Sequence, residues 1–176
     1  MKKIALSVAF ALSLSACGDK PYEFEGKYLL TEGEECSPDT KSKNKDTVFI
    51  EIFAQGKGDT KAYTAKIPMG AAWGLPTSSN GNALPTEKDE LNFSFAKEGK
   101  SGLFTGTPSV DMSVTVIPHV TKENHIWLTS WDATVSQNGM VKQVSPLDEM
   151  RKHATNPRAA IKLSDKGLCL SKIAEL

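Results

Sequence analysis

Val110-Asp111-Met112-Ser113-Val114-Thr115-Val116 decides the fold, with an apolar side chain at every second position and a polar one between. A period of two belongs to a β-strand with one face buried, because successive side chains project to opposite sides. Working outward, Leu91, Phe93 and Phe95 alternate with Asn92 and Ser94, and Ile126 and Leu128 alternate with Trp127 and Thr129. Val48 to Phe53 is apolar everywhere except Glu51, which reads as a strand buried on both sides.

Turn chemistry between these segments favours antiparallel pairing. Asn138-Gly139 sits between Ala133-Thr134-Val135 and Met140-Val141, and this dipeptide suits a type I′ hairpin, whose two central residues need positive φ. Gly99 separates the segment ending near Lys97 from Leu103-Phe104-Thr105, and Asp165-Lys166-Gly167 separates Ile161-Lys162-Leu163 from Leu168-Cys169-Leu170. Hairpins this short exclude a doubly wound parallel sheet, whose crossovers need a dozen residues or more. One stretch breaks the pattern. Ser145-Pro146-Leu147-Asp148 supplies an N-cap, a proline in the first turn and an early acidic side chain; Leu147, Met150 and Ala154 then share one face, and Asn156-Pro157 ends the helix.

The expected order is about eight strands, a helix, then one or two more strands. The fold class is mainly β: a single antiparallel β-barrel or sandwich of about eight to ten strands with one short helix in the C-terminal region. Gly26-Lys27-Tyr28, near the first strand, is similar to the opening Gly-x-Trp of lipocalins, with tyrosine in place of tryptophan. That resemblance implies an up-and-down barrel.

The chain has 176 residues, one domain's worth, with 24% charged and 39% hydrophobic side chains, as in a folded globule. Formal charge is zero. Nucleic-acid binding needs a concentrated basic face, and the only basic cluster, Lys41, Lys43 and Lys45, stands beside Asp39 and Asp46 and reads as a solvated loop. No nucleic-acid partner is expected.

The N-terminus has its own logic. Met1-Lys2-Lys3 is a positive start, and Ile4 to Leu14 is an apolar run interrupted only by Ser7 and Ser13. It is shorter than the roughly 20 residues a bilayer span takes and has the proportions of a signal-peptide core. Leu14-Ser15-Ala16-Cys17 comes next and resembles the lipobox of bacterial lipoproteins. The resemblance implies cleavage before Cys17, acylation of its thiol and usually of the new amino terminus. Two or three acyl chains, at roughly 0.8 kcal/mol per buried methylene, anchor a soluble domain nearly irreversibly.

Residues 1–16 are then the leader, 17–25 the acylated terminus and tether, and 26–176 the domain. Gly18 follows the cysteine and Asp19 comes one later, a pattern that in such lipoproteins favours the outer membrane, facing the periplasm. The partner implied is the bilayer, and the tether from Gly18 to Glu25 reaches at most about 27 Å.

With Cys17 assigned to lipid, Cys36 and Cys169 remain, in a compartment where disulfides persist. Their bridge would close a loop of more than 130 residues, worth on the order of 5 kcal/mol in the chain-entropy model. A reactive thiol or metal ligand is the alternative, but no C-x-x-C and no close cysteine-histidine pair exists.

Chemistry-bearing motifs are few. His119 and His125 flank a loop and, with Asp111 or Asp132, could offer a metal set, but nothing in the spacing demands it; they read as surface histidines beside a turn, and no metal is assigned; His153 stands apart. Neither G-x-S-x-G nor a phosphate loop occurs, since no helix signal follows Gly56-Lys57-Gly58. The carboxylate pairs Glu34-Glu35 and Asp89-Glu90 lie in polar stretches that face water. No catalytic residue and no cofactor is assigned.

Pro68 to Lys88 is the most informative non-core segment, reading Pro-Met-Gly-Ala-Ala-Trp-Gly-Leu-Pro before a run rich in serine and asparagine. A connection of about twenty residues without secondary structure is uncommon and often functional. Trp73, with Met69 and Leu75, forms either an aromatic hot spot for a protein partner or a plug folded back on the barrel end. Trp127 and Trp131 are expected on one face, opposite Ile126 and Leu128, where with Phe104 they fill a second apolar layer or line a ligand cavity.

The expected function is that of an envelope-anchored, non-enzymatic lipoprotein binding a protein partner, in an immunity, inhibitor or envelope-assembly role. The alternatives are a lipocalin-like carrier of a small apolar ligand and an enzyme with an unrecognised site.

Overall fold

A computed structural model describes residues 22–31, 36, 48–56, 61–100, 106–154 and 165–173, with the side chains at 69, 73 and 151–154 outside that set. The stretch Leu14 to Cys17, the lysine cluster at 41–45, the Glu34-Glu35 pair, Phe104 and the expected strands at 103–105 and 161–163 lie outside the described residues.

The described residues fold into eight strands and one α-helix, with a short 3-10 helix between β3 and β4: β1 (Gly26–Leu30), β2 (Val48–Gln55), β3 (Ala62–Lys66), β4 (Leu91–Lys97), β5 (Ser109–Pro118), β6 (His125–Gln137), β7 (Met140–Val144), α1 (Pro146–Ala154) and β8 (Leu168–Lys172). They form one antiparallel sheet in the order β3-β2-β1-β8-β6-β5-β4, with β7 paired to the far half of β6. The long strand β6 is shared: its first residues pair with β8, while Ala133 to Gln137 pair with β7 across the Asn138-Gly139 turn, where both residues have positive φ. Seven strands therefore precede the helix and one comes after it.

The sheet curls until its edges β3 and β4 nearly meet, and residues 77–83 fill the seam. Tyr63 and Ala83 exchange both backbone bonds at 2.8 Å, Ile67 N–H donates to the Thr77 carbonyl at 2.8 Å, and Ser79 N–H donates to the Ala65 carbonyl at 2.8 Å. On the other side Asn80 N–H donates to the Ser94 carbonyl at 2.6 Å. Seam closure pairs the backbone groups that an open edge would leave unsatisfied. The result is one sheet nearly closed into a barrel.

Alternation places the inward set as the sequence suggests: Leu91, Phe93 and Phe95 of β4 and Val110, Met112, Val114 and Val116 of β5 are all buried in one core with Tyr28, Ile50, Ile52 and Leu170. Each such side chain contributes about 1.5–3 kcal/mol relative to exposure. Leu147 is buried against this core and Met150 packs on it, so the apolar stripe of α1 lies on the barrel wall beside β6. Ser145 caps the helix, its hydroxyl accepting from Asp148 N–H at 3.4 Å and its carbonyl from Glu149 N–H at 3.0 Å.

Two bulges break the period-two reading. Opposite β1, Tyr28 pairs with Ile50 and Leu29 with Val48, so Phe49 is the extra residue and packs inward beside Ile50. The apolar run Val48 to Phe53 is therefore not a strand buried on both faces; it is a one-sided strand carrying a bulge, with Val48 and Phe53 only half-buried. In β6, Thr115 pairs with Ser130 and Val116 with Leu128, leaving Thr129 unmatched.

Candidate functional site

The Thr129 bulge corrects the expectation that Trp127 and Trp131 share a face. One extra residue shifts the alternation, so Ile126, Leu128, Trp131 and Ala133 all point inward, whereas Trp127 points out. Trp131 is fully buried, edge-on to Phe49 with ring centroids 5.6 Å apart, and its indole N–H faces the Met112 sulfur at 2.9 Å. Trp127 joins Cys36, Cys169 and Ile117 in a small cluster outside the barrel wall. The two tryptophans do not line a common cavity.

The inward-facing side chains form one buried cluster. Phe24, Tyr28, Phe93, Phe95, Ile50 and Trp131 are fully buried in the space enclosed by the seven strands of the wall, with β7 lying off that path. One end is closed by the entering chain: Phe24 meets Tyr22 at 4.8 Å and Tyr63 at 5.6 Å, both edge-on, and the Tyr28 hydroxyl donates to the Phe24 carbonyl at 2.8 Å. The Tyr22 hydroxyl donates to the His125 carbonyl at 2.9 Å, and burial pushes its pKa up to about 12.

Outside the wall, Cys36 and Cys169 are joined with Cα atoms 5.5 Å apart. Thr31 fixes the same strand, its N–H and its hydroxyl both donating to the Cys169 carbonyl, at 3.1 and 2.8 Å. His119 stacks on Trp127, centroids 5.2 Å apart and 20° from parallel, and lies 6.2 Å from the ring of His125. The two histidines thus approach each other across the β5–β6 turn, and the His119 N–H donates to the His125 carbonyl at 3.0 Å.

Asp111 and Asp132 do not join the histidines. They pair with Thr134 and Ser113, well along the strands, and no group of three or more metal-ligating side chains exists among the described residues. Burial depresses both histidine pKa values, with the Lys122 ammonium adding to the effect, so both rings favour the neutral form. The Asp89-Glu90 pair belongs to a turn organised by Thr86, whose hydroxyl accepts from the N–H groups of Lys88 and Glu90 at 3.3 and 3.1 Å.

The segment from Pro68 divides into two parts with different duties. Pro68–Trp73 is a 3-10 helix ended by Gly74 at φ 70°, a left-handed conformation that glycine adopts without strain. Gly74 N–H donates to the Ala71 carbonyl at 3.2 Å and Leu75 N–H to the Gly70 carbonyl at 2.9 Å. Leu75 packs half-buried on the main core; the side chains of Met69 and Trp73 lie outside the described set. Residues 77–83 form the second part, the barrel seam, whose key contact is Ser79, its hydroxyl accepting from Ala65 N–H at 2.9 Å. Nothing in Ser78-Ser79-Asn80-Gly81-Asn82 alternates, so the sequence carries no strand signal for this stave.

Two of the clefts on the outer surface are lined by described residues. The first, about 550 Å³, lies between Leu75 to Asn80 and the end of β4, where Lys97 donates to the Gly74 carbonyl at 3.1 Å. The second, about 530 Å³, runs between β7 and the start of α1, lined by Lys142, Gln143, Asp148 and Glu149. Beside it, Met140 and Val141 stand 72% and 68% exposed at the hairpin tip.

Compared with protein-family models, curated proteins and solved structures, the chain finds no match.

Proposed function

We propose that this chain is an envelope lipoprotein, acylated at Cys17 and held at the outer membrane facing the periplasm, that works without catalysis by binding a protein partner in an immunity, inhibitor or assembly role. The leader and the Leu14-Ser15-Ala16-Cys17 stretch support the anchor. The observation that carries the binding role is the filled barrel. With aromatic side chains occupying its interior, recognition falls to the outer surface, where the 68–80 segment presents a short helix, a left-handed glycine and a cleft at the rim of the wall.

The carrier reading draws no support from this interior. A carrier needs a chamber of roughly 300 Å³ or more for a small ligand, and of its three expected lining residues Trp131 is locked in the core and Trp127 faces outward.

Replacing Trp73 by alanine tests the binding role. Capture of the partner in a pull-down from the native envelope should be lost while the melting temperature moves by less than about 2 °C, the shift expected for a surface change. Retained capture, or loss of capture together with a large drop in melting temperature, contradicts the assignment of this segment.

A further inference from the structure

We propose that the barrel stands on the membrane with the β5–β6 turn down, so that Val120 rests in the headgroup layer of the lipid bilayer while the opposite end points into the periplasm. This orientation rests on the acylation of Cys17 and adds to it the face that meets the lipid.

The path of the incoming chain fixes the geometry. Residues 22–24 are pinned at one end of the barrel by the Tyr22 hydrogen bond to the His125 carbonyl and by the burial of Phe24. Cys17 lies five residues before Tyr22, so its Cα stays within roughly 18 Å of that point even when the chain is fully extended. The far end of β6 is twelve residues from His125, roughly 40 Å along the strand. Lipid chains rooted at Cys17 therefore hold the His125 end against the bilayer and cannot bring the β6–β7 tip to it while the barrel stands upright.

The same end carries apolar groups with no protein cover. Val120, at the tip of the β5–β6 turn, is 94% exposed, and Leu84, next to the Ala83 bridge to the start of β3, is 64% exposed. A bare valine at a turn tip gains when it enters the interface, at roughly 25 cal/mol per Å² of apolar surface removed from water. At the opposite end lie Met140, Val141 and the cleft beside Leu75 and Lys97, which this orientation presents away from the membrane, where a soluble partner arrives.

The test uses full-length acylated protein in vesicles of phosphatidylethanolamine and phosphatidylglycerol at a ratio of about 3:1, chosen to give the anionic surface typical of such membranes. A single cysteine is introduced as Val120→Cys or Val141→Cys and labelled with an environment-sensitive fluorophore, Cys36 and Cys169 being tied to each other. Intact mass confirms acylation of each preparation, so absence of lipid on Cys17 registers as failure of the anchor and not of the orientation.

With headgroup-region nitroxide lipids, fluorescence at position 120 should fall about twofold or more, as for a side chain seated in the interface, and position 141 should be unaffected. Equal or stronger quenching at 141 means a barrel lying on its side or inverted, and overturns the proposal. So does acylated, vesicle-bound protein in which neither position is quenched, including the case where position 120 is shielded by a second copy or another protein.

Discussion

Trp127 and Trp131, four residues apart on β6, stand on opposite sides of the barrel wall, because Thr129 has no partner on β5. The two indoles therefore have different stability roles. Trp131→Ala empties a site enclosed by Phe49 and Met112 and should cost about 3–5 kcal/mol. Trp127→Ala removes a ring from the small outer cluster with Cys36, Cys169, Ile117 and the stacked His119, away from the main core, and should cost less. Urea unfolding of both variants measures the difference, and equal losses would contradict the placement.

Gly167 has φ 123°, and the space where a Cβ would stand is taken by the backbone of Leu128 and Thr129 at the bulge. A side chain there would collide with the Leu128 carbonyl oxygen, and an L-residue rarely adopts that φ. Gly167→Ala should destabilise by about 2 kcal/mol or more. The same change at Gly81, which has φ 70° but open space around it, should cost less. Thermal melts of the pair separate collision from backbone strain alone.

The Cys36–Cys169 bridge spans 133 residues of sequence and ties the region after β1 to β8. Cys36→Ser with Cys169→Ser should lower stability by up to about 5 kcal/mol, the chain-entropy value for a loop of this size. Reductant should shift the melting temperature of the parent protein and leave the double variant unchanged. A reductant effect on the variant would mean that some other bond is being broken.

His119 and His125 give the fold a dependence on pH. Both are held below the ordinary value of 6.5, mainly by burial, so the folded state takes up fewer protons than the unfolded chain. Their contribution is thus present above pH 6.5 and is lost as pH falls below it through the lowered values. The unfolding free energy should decline as pH falls through that window. His119→Gln with His125→Gln should flatten the decline, whereas an unchanged slope would assign the effect to other groups.

Much of this fold is legible in the sequence because β4, β5 and β7 obey simple local rules. Strict alternation from Val110 to Val116 gives the inward face without knowledge of the partner strand, and Asn138-Gly139 gives the β6–β7 hairpin from backbone sterics alone. Ser145 and the Leu147 and Met150 stripe place the helix in the same way.

The features that escaped are non-local. A bulge is defined by register against another strand, so neither Phe49 nor Thr129 declares itself, and each reverses the apparent face of its neighbours. The seam at 77–83 escaped because backbone bonds to Ala65 and Tyr63, rather than side-chain burial, hold it there. Of the surface segments, Leu75 reads as a free loop side chain yet packs on the core, because the 3-10 helix and Gly74 turn it inward.

The proposed anchored binding role turns on Cys17, and intact-mass analysis of the protein extracted from its native cells tests it most directly. The expected species begins at Cys17 and carries two or three acyl chains, with Cys36 and Cys169 oxidised. A chain that retains residues 1–16, or one whose Cys17 is unmodified, contradicts the anchored binding role and the membrane orientation together.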